Sequence, residues 1–361
     1  MTHVRRPSEK APITIHKQFV DDFKPFLIKK VNQYMLLMKV GQGADAKVYL
    51  AEDCNSNKLY AIKVFSIESN SKSPTKTIPL EREIRIMRKT NHVYIVSLHE
   101  VLHSALKNSA YLVLEWASYG SLKRIIDKKI QLSEQTLSTI FFQIILGLEY
   151  LHSEGIVHQD IKPSNLLLFE GGIAKIADFG VGHSFQSANM CIGSPAYQSP
   201  DLFEDDSDTE GEEFVTDAAK GDIWSLGVTL FEACFFELPF IGENLYEIAS
   251  NSRKNPLKFP QAISEDLKDL LSKMLNPSFR DRASLDQVKN HNFFKQASDK
   301  FELPIKPITP PHIDSSHSLV TITAEKCDTN FSFASMKMSS SWSGILNDIA
   351  SKPHSPLFDL N

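Results

Sequence analysis

The sequence has few cysteines, and no two of them are spaced as a C-x-x-C pair. The four stand apart as Cys54, Cys191, Cys234 and Cys327. This scatter argues against a zinc site and against a disulfide framework. Since the first residues also carry no apolar signal core, we expect a reducing, cytoplasmic location, with access to the nucleus also open.

Excess positive charge and long uninterrupted apolar runs are missing as well. Lys and Arg number 39 against 44 Asp and Glu, a net charge of −5, so no nucleic-acid partner is expected. The most apolar run, IWSLGVTLFEACFFELPF, is interrupted by Glu232, Glu237 and Pro239. That run predicts a buried core helix, and no membrane partner is expected. A hydrophobic share of 42% provides enough apolar side chains for a sizeable folded core.

The residues that are present divide the chain into four parts. Residues 1–33 carry scattered Lys, Arg and Pro and are expected to form a flexible basic arm. Residues 34–117 hold short apolar runs typical of strands, such as AKVYLAED and KLYAIKVF, with one helical pattern, PLEREIRIMRKT. Residues 118–294 are mostly of helical pattern. Residues 295–361 are rich in Ser and Pro, so we expect them to be mostly disordered.

Two segments of the helical part have clear local signals. The run SEQTLSTIFFQIILGLEYLHSEG predicts a long apolar helix, with Ser133 as its N-cap and Gly155 as its stop. Residues 201–213 contain eight acidic residues and no basic one, which predicts a solvated loop.

Two motifs in the strand-rich part suggest phosphate binding. In GQGADAKVYL, Gly41 and Gly43 would let a hairpin close over phosphates with its backbone amides pointing inward. One strand later, YAIKV places Lys63 in an apolar run, where a buried ammonium needs an anion to contact. Phosphate oxygens or Glu83, on the predicted helix, could serve. Taken alone, the glycine motif is more typical of an ordinary turn, and the lysine is more typical of a surface residue at a sheet edge.

The stretch HQDIKPSN is more specific. Asp160 could accept the proton of an attacking hydroxyl, and Lys162 could neutralise a moving phosphoryl group. Asn165 offers an uncharged oxygen to a hard cation such as Mg²⁺, and Asp178 in IADFG offers a carboxylate for the same purpose. Together these residues suit phosphoryl transfer, which depends on positioning and on charge stabilisation.

In order and spacing, GQGADAKV, YAIK, Glu83, HQDIKPSN, DFG and SPD resemble the eukaryotic protein kinase signature over roughly residues 34–294. The resemblance implies an α+β, bilobal protein kinase fold. Its small β-rich N-lobe, with one main helix, would span residues 34–117, and its larger α-helical C-lobe would span residues 118–294. It also implies ATP as a substrate and Mg²⁺ as the metal.

Carried over position by position, the resemblance implies a role for each matching residue. Asp160 would be the catalytic base and Lys162 would steady the γ-phosphate, while Asn165 and Asp178 would hold Mg²⁺. The residues expected to bind ATP are Gly41, Gln42, Gly43, Ala44, Val48, Ala61, Lys63, Glu83, Leu114, Glu115, Ala117 and Leu167.

Finer motifs resemble one class and one group of kinases. DIKPSN and GSPAY are similar to Ser/Thr kinases. IKPSNLLL, LPFIGENLYEI and SEDLKDLLSKML are similar to the calcium/calmodulin-dependent protein kinase kinases and their fungal relatives. That group phosphorylates the activation-loop Thr of other kinases, notably AMP-activated kinase relatives, so the resemblance implies protein substrates of this kind.

Two alternatives to an upstream kinase stay open. One is a Ser/Thr kinase with unrelated protein substrates. The other is a pseudokinase scaffold, against which the presence of Lys63, Asp160 and Asp178 argues. Calmodulin is not an expected partner, because Lys337 is the only basic residue in the apolar tail run FSFASMKMSSSWSGILNDIA, whereas calmodulin targets place several between their apolar anchors.

The sequence departs from the kinase pattern at two positions. Gln159 stands where an Arg usually grips an activation-loop phosphate, and an amide cannot supply that charge. Asp201 stands where a longer Glu usually pairs with the Arg at position 282, so a looser ion pair with Arg282 is expected.

Overall fold

The computed structural model describes residues 27–43, 46–66, 77–179, 183–184, 194–203, 218–313 and 318–327. Several of the predicted features lie outside the described residues, namely residues 1–26 of the basic arm, Ala44, Cys191, residues 204–213 of the acidic stretch, and residues 314–317 and 328–361 of the tail, with its apolar run 331–350.

The N-lobe is built from antiparallel strands with one helix packed against them. Its elements are β1 (Leu27–Val31), β2 (Tyr34–Gln42), β3 (Ala46–Asp53), β4 (Leu59–Ser66), α1 (Thr77–Lys89), β5 (Leu98–Ser104) and β6 (Ser109–Glu115). Tight turns join β1 to β2, β3 to β4 and β5 to β6. Each has an Asn in the left-handed region, Asn32 (φ 50), Asn57 (φ 57) and Asn108 (φ 47), a conformation that Asn adopts more readily than most residues.

The C-lobe is mostly helical, with small strands next to the N-lobe. Its elements are β7 (Gly120–Ser121), α2 (Leu122–Asp127), α3 (Glu134–Ser153), β8 (Ile156–Val157), β9 (Leu166–Phe169), β10 (Ile173–Ile176), β11 (His183–Ser184), α4 (Ala218–Phe235), α5 (Leu245–Lys254), α6 (Glu265–Met274) and α7 (Leu285–Lys289). Short 3-10 turns lie at Pro163–Asn165, Pro195–Tyr197, Pro200–Phe203 and Asn292–Gln296. The two lobes confirm the predicted α+β, bilobal architecture.

Two central helices of the C-lobe agree with their sequence patterns. In α3, the Ser133 hydroxyl accepts the N–H of Thr136 at 3.1 Å, and Gly155 follows the helix with φ 70, so both predicted ends are confirmed. In α4, Leu226 and Leu230 are fully buried, which confirms a core helix. None of the helices in the described ranges is long and apolar enough to cross a membrane.

The described residues between 298 and 327 return across both lobes. We call residues 298–327 the tail segment; within it, residues 314–317 are not described. Gln143 in α3 donates to the carbonyl of Asp299 at 3.0 Å, and the N–H of Ile308 donates to the carbonyl of Ser118 at 2.7 Å, between the lobes. The segment ends in two strands, β12 (Ser318–Ile322), parallel to β1, and β13 (Glu325–Lys326), antiparallel to β5. The N-lobe sheet therefore has the order β12-β1-β2-β3-β4-β6-β5-β13.

The tail segment changes the domain boundaries that we expected from the sequence. Ile322 and Ala324 are buried among N-lobe core residues that include Val31 and Tyr34. Asn32 and Ala324 exchange two hydrogen bonds of 2.8 and 2.9 Å. Residues 27–33 thus form and follow strand β1 and are not part of a flexible arm. The described part of the tail is ordered as well, with Ile322 and Ala324 buried against the N-lobe core.

Candidate active site

One lysine joins three parts of the chain at the cleft between the lobes. Lys63, on β4, lies 2.7 and 3.0 Å from the two carboxylate oxygens of Glu83 on α1, and 2.9 Å from Asp178 Oδ1. Burial lowers the pKa of Lys63, but the charges of Glu83 and Asp178 raise it by more, so this pKa lies above its usual range. The structure therefore brings together a fixed cation and the two carboxylates that the motifs suggested.

The residues of HQDIKPSN converge on Asp160. Lys162 Nζ lies 2.6 Å from Asp160 Oδ2 and 2.6 Å from the hydroxyl of Ser194. The backbone N–H of Ser194 donates to Asp160 Oδ1 at 3.0 Å, and the side-chain amide of Asn165 donates to Asp160 Oδ2 at 3.0 Å. Because three neighbours contact the carboxylate, its position is fixed by the fold and not left to a free rotamer.

A buried carboxylate in the C-lobe anchors the backbone of the loop that carries Asp160. Asp222, on α4, accepts the backbone N–H groups of His158 at 2.9 Å and Gln159 at 2.8 Å, and it contacts His152 Nε2 at 2.8 Å. Burial raises the pKa of Asp222, but the contacts with His152 and His158 outweigh that effect and lower it. These bonds hold Gln159 at φ 61, a conformation that few side chains adopt without such support.

The glycine-rich hairpin and the residues predicted to contact the adenine lie on neighbouring strands and in the connection between the lobes. Gly41 is opposite Val48 across β2 and β3, and the N–H of Gly43 donates to the carbonyl of Ala46 at 2.8 Å, which closes the hairpin. Gln42 is paired with Lys47. On the neighbouring strands, Ala61 is directly opposite Leu114. The remaining predicted residues, Glu115, Ala117 and Leu167, lie in the connection between the lobes and on β9.

The connection between the lobes contains a contact that the sequence analysis missed. Lys175, on β10, lies 2.7 Å from both carboxylate oxygens of Glu115, and Glu115 also accepts the N–H of Ser97 at 2.8 Å. The Glu115 side chain is thus held by Lys175 and Ser97, so the contact with adenine that the resemblance implies would fall to the Glu115 backbone. The sequence feature that could have indicated this contact is the single lysine in the apolar strand IAKI, since a single lysine in an apolar strand also indicated Lys63.

Asn165 and Asp178 fit a hard divalent cation by their chemistry and position. The backbone N–H of Ala177 donates to the carbonyl of Asn165 at 2.9 Å, and Asp178 is the residue that follows Ala177. The amide nitrogen of Asn165 faces Asp160, so its Oδ1 points to the other side. The Asp178 side chain is 45% exposed, and its Oδ1 lies 2.9 Å from Lys63 Nζ. Oxygen ligands of this kind suit Mg²⁺.

The Asp201–Arg282 pair is closer than the sequence analysis expected. Arg282 Nη2 lies 2.8 Å from Asp201 Oδ2, and both side chains are almost fully buried. The expectation of a looser pair is therefore wrong in distance. What the shorter side chain loses is the second contact, since Asp201 Oδ1 is buried without a hydrogen-bond partner among the described residues. The Ser199 hydroxyl shares Oδ2 with the arginine.

Residues 34–294 match the family described as Protein kinase domain. The match covers most of the chain, so the chain belongs to the protein kinase family. The motifs DIKPSN and GSPAY, and relatives named as Ser/Thr kinases, place it in the serine/threonine class.

Three relatives illustrate the similarity. CBL-interacting protein kinase 26 of Oryza sativa subsp. japonica is 35% identical over 312 residues, which cover 85% of this chain and 60% of that protein. Serine/threonine-protein kinase STK11 of Homo sapiens is 33% identical over 291 residues, with coverages of 78% and 65%. A calcium/calmodulin-dependent protein kinase kinase of Caenorhabditis elegans is 34% identical over 291 residues, with coverages of 73% and 53%. The chain thus matches less than two thirds of the length of each of these relatives.

Proposed function

We propose that this protein transfers the γ-phosphate of ATP to Ser or Thr hydroxyls of other protein kinases, at their activation loops. The proposal of phosphotransfer rests on the contacts of the Asp160 carboxylate. Three neighbours orient it, namely Lys162, Ser194 and Asn165. The carboxylate is the group that would meet the acceptor hydroxyl. Lys63, held by Glu83, is the cation that would meet the phosphates.

Each residue then has a distinct task. Asp160 orients the acceptor hydroxyl and takes its proton, while Lys162 balances charge on the transferred group. Lys63 positions the phosphates, and the hairpin of Gly41 and Gly43 covers them with backbone amides. Asn165 and Asp178 would hold Mg²⁺, which when bound neutralises phosphate charge.

The substrate class rests on similarity at two levels. The motifs IKPSNLLL, LPFIGENLYEI and SEDLKDLLSKML are similar to those of kinases that act on other kinases. The relative from Caenorhabditis elegans is by its name a kinase of a protein kinase. Control by calmodulin is not part of the proposal, because the tail run around Lys337 lacks the basic residues that such a target needs.

The test is phosphorylation of an inactive AMP-activated-type kinase catalytic subunit, with the modified residue mapped by mass spectrometry. We expect phosphate on its activation-loop Thr. A substrate with that Thr changed to Ala should stay unmodified, and so should the intact substrate incubated with the Asp160→Asn enzyme. Phosphate on generic Ser/Thr peptides but none on the kinase substrate would favour unrelated protein substrates. No transfer to either would favour the scaffold alternative.

A further inference from the structure

Four side chains of the C-lobe form a cluster that the proposed phosphotransfer does not use. Glu232, on α4, has a side chain only 8% exposed. Its Oε1 accepts a hydrogen bond from Lys123 Nζ at 3.2 Å, and its Oε2 accepts one from the Tyr197 hydroxyl at 2.5 Å. Lys123 also lies 3.0 Å from Asp127 Oδ1. Each oxygen of the buried carboxylate is therefore bonded by a side chain from a different part of the lobe.

This cluster borders the position where an acceptor hydroxyl would meet Asp160. Tyr197 follows Ser194 by three residues, and Ser194 donates its N–H to Asp160. Helix α2, which carries Lys123, packs against both the 3-10 turn Pro163–Asn165 and α4. An extended substrate advances about 3.3 Å per residue, so residues within a few positions of the acceptor would pass near the cluster.

The charges of the cluster determine which substrate side chains could bind beside it. Glu232 and Asp127 alone would present two carboxylates to the chain passing by, and a buried carboxylate attracts Arg or Lys through charge-assisted hydrogen bonds. Lys123 is bonded to both carboxylates, and its side chain is 42% exposed. A basic substrate side chain would therefore approach an ammonium of the same charge, and like charges in contact disfavour binding.

We propose that Lys123 is a specificity-determining residue, which occupies Glu232 and so excludes Arg and Lys side chains from the substrate positions near the acceptor. This rests on the Ser/Thr phosphotransfer proposed above and narrows its substrate class to sequences without a basic residue at those positions. It does not depend on whether the substrate is another kinase.

The experiment measures peptide preference in the full-length enzyme. One acceptor peptide is varied by placing Arg, or Gln as a neutral match, at each of four positions before and after the Ser. The quantity compared is the ratio of kcat/KM for the Arg peptide to that for the Gln peptide. The wild-type ratio should be at or below 1 throughout. Lys123→Met keeps the apolar stem and removes the charge, and should raise the ratio about tenfold at one or two adjacent positions.

Two controls make the result specific. In a Lys123→Met, Glu232→Gln double variant the gain should disappear, because the freed carboxylate is gone. Lys268→Met, which removes a lysine that lies 3.7 Å from Glu265 on α6, should leave every ratio unchanged. Thermal unfolding checks that each variant is folded, and Lys123→Gln replaces Lys123→Met if the latter is not.

Three results would overturn the proposal: a wild-type preference for Arg near the acceptor, an unchanged ratio in the folded Lys123 variant, or a gain that persists without Glu232. Failure of the kinase-of-kinases function would look different. In that case the kinase substrate would stay unphosphorylated while the peptide ratios still changed.

Discussion

Lys63 Nζ lies 2.7 Å from Glu83 Oε1, and this contact ties strand β4 to helix α1. The same ammonium lies 2.9 Å from Asp178, so one side chain links the N-lobe to the segment after β10. A lysine held in this way has a fixed position before any nucleotide binds, which is the preorganisation that phosphoryl transfer requires.

Replacing Lys63 by Met should lower phosphotransfer by about 100-fold or more, because it removes a charge that positions the phosphates. Folding should survive, since the two carboxylates that lose their partner can bind protons. The measurement is kcat/KM for a Ser/Thr peptide beside a thermal unfolding curve. Lys58→Met, at an exposed turn lysine, is the matched control and should keep full activity. A folded Lys63→Met enzyme with near wild-type turnover would refute the role.

The tail segment should be part of the folded domain, and substitutions at the adjacent residues Gly171 and Gly172 can test this. A Cβ at Gly172 would lie 2.4 Å from the carbonyl oxygen of Phe301, whereas a Cβ at Gly171 would have no atom within 4 Å. Both glycines have positive φ, at 72 and 80, so Ala at either costs about 1–2 kcal/mol of backbone strain. Gly172→Ala should cost a further ~1–3 kcal/mol, because it displaces the tail.

Denaturant unfolding of the two glycine variants measures that difference, and limited proteolysis locates it. Gly172→Ala should make the chain near Phe301 more sensitive to cleavage, while Gly171→Ala should not. Equal stabilities and equal cleavage of both variants would mean that the tail does not pack on the C-lobe as described.

The buried pair of Asp201 and Arg282 should tolerate, and benefit from, a longer acid. Asp201→Glu would allow both oxygens to contact the guanidinium. It would also remove an oxygen that is buried without a partner among the described residues, which costs about 1–3 kcal/mol. We expect a small gain in the free energy of unfolding, about 1 kcal/mol. Asp201→Asn should lose about 3 kcal/mol, since it leaves the charge of Arg282 uncompensated. A Glu variant less stable than wild type would show that the site lacks room.

Gln159 predicts that activity depends weakly on phosphorylation of the activation loop. An amide gains only an ordinary hydrogen bond from a phosphate, whereas an Arg would gain a bidentate ionic contact. Enzyme treated with phosphatase should therefore keep most of its kcat/KM. As a comparison, Gln159→Arg should make activity more sensitive to the same treatment. If dephosphorylation silences the wild-type enzyme, another basic residue must bind the phosphate.

The sequence predicted which candidate site residues lie together better than it predicted where the ordered parts of the chain begin and end. Asp160, Lys162 and Asn165 lie within one short motif, so their proximity follows from local spacing. Lys63 and Asp178 lie in two further motifs. In the fold these motifs meet, with 2.9 Å between Lys63 Nζ and Asp178 Oδ1.

Other contacts could not be predicted from the sequence, because they join residues that are far apart along the chain. The contact of Lys123 with Glu232 spans 109 residues, and no spacing rule connects them. The Ser- and Pro-rich composition of residues 295–361, with few periodic patterns, predicts a mostly disordered tail, yet the described tail segment is ordered. Its order comes instead from backbone bonds to β1 and β5 and from Phe301 packing over Gly172, where a side chain would not fit.

The most direct test of the central claim, that Asp160 serves the phosphotransfer step, is a comparison of wild-type enzyme with Asp160→Asn by single-turnover phosphate transfer to a Ser peptide. ATP affinity is measured in parallel by calorimetry. We predict a loss of about 10²- to 10⁴-fold in the transfer rate with ATP affinity close to wild type, because the carboxylate acts on the acceptor hydroxyl and ATP is held by other residues. An unchanged transfer rate, or an ATP affinity that falls as far as the rate does, would contradict it.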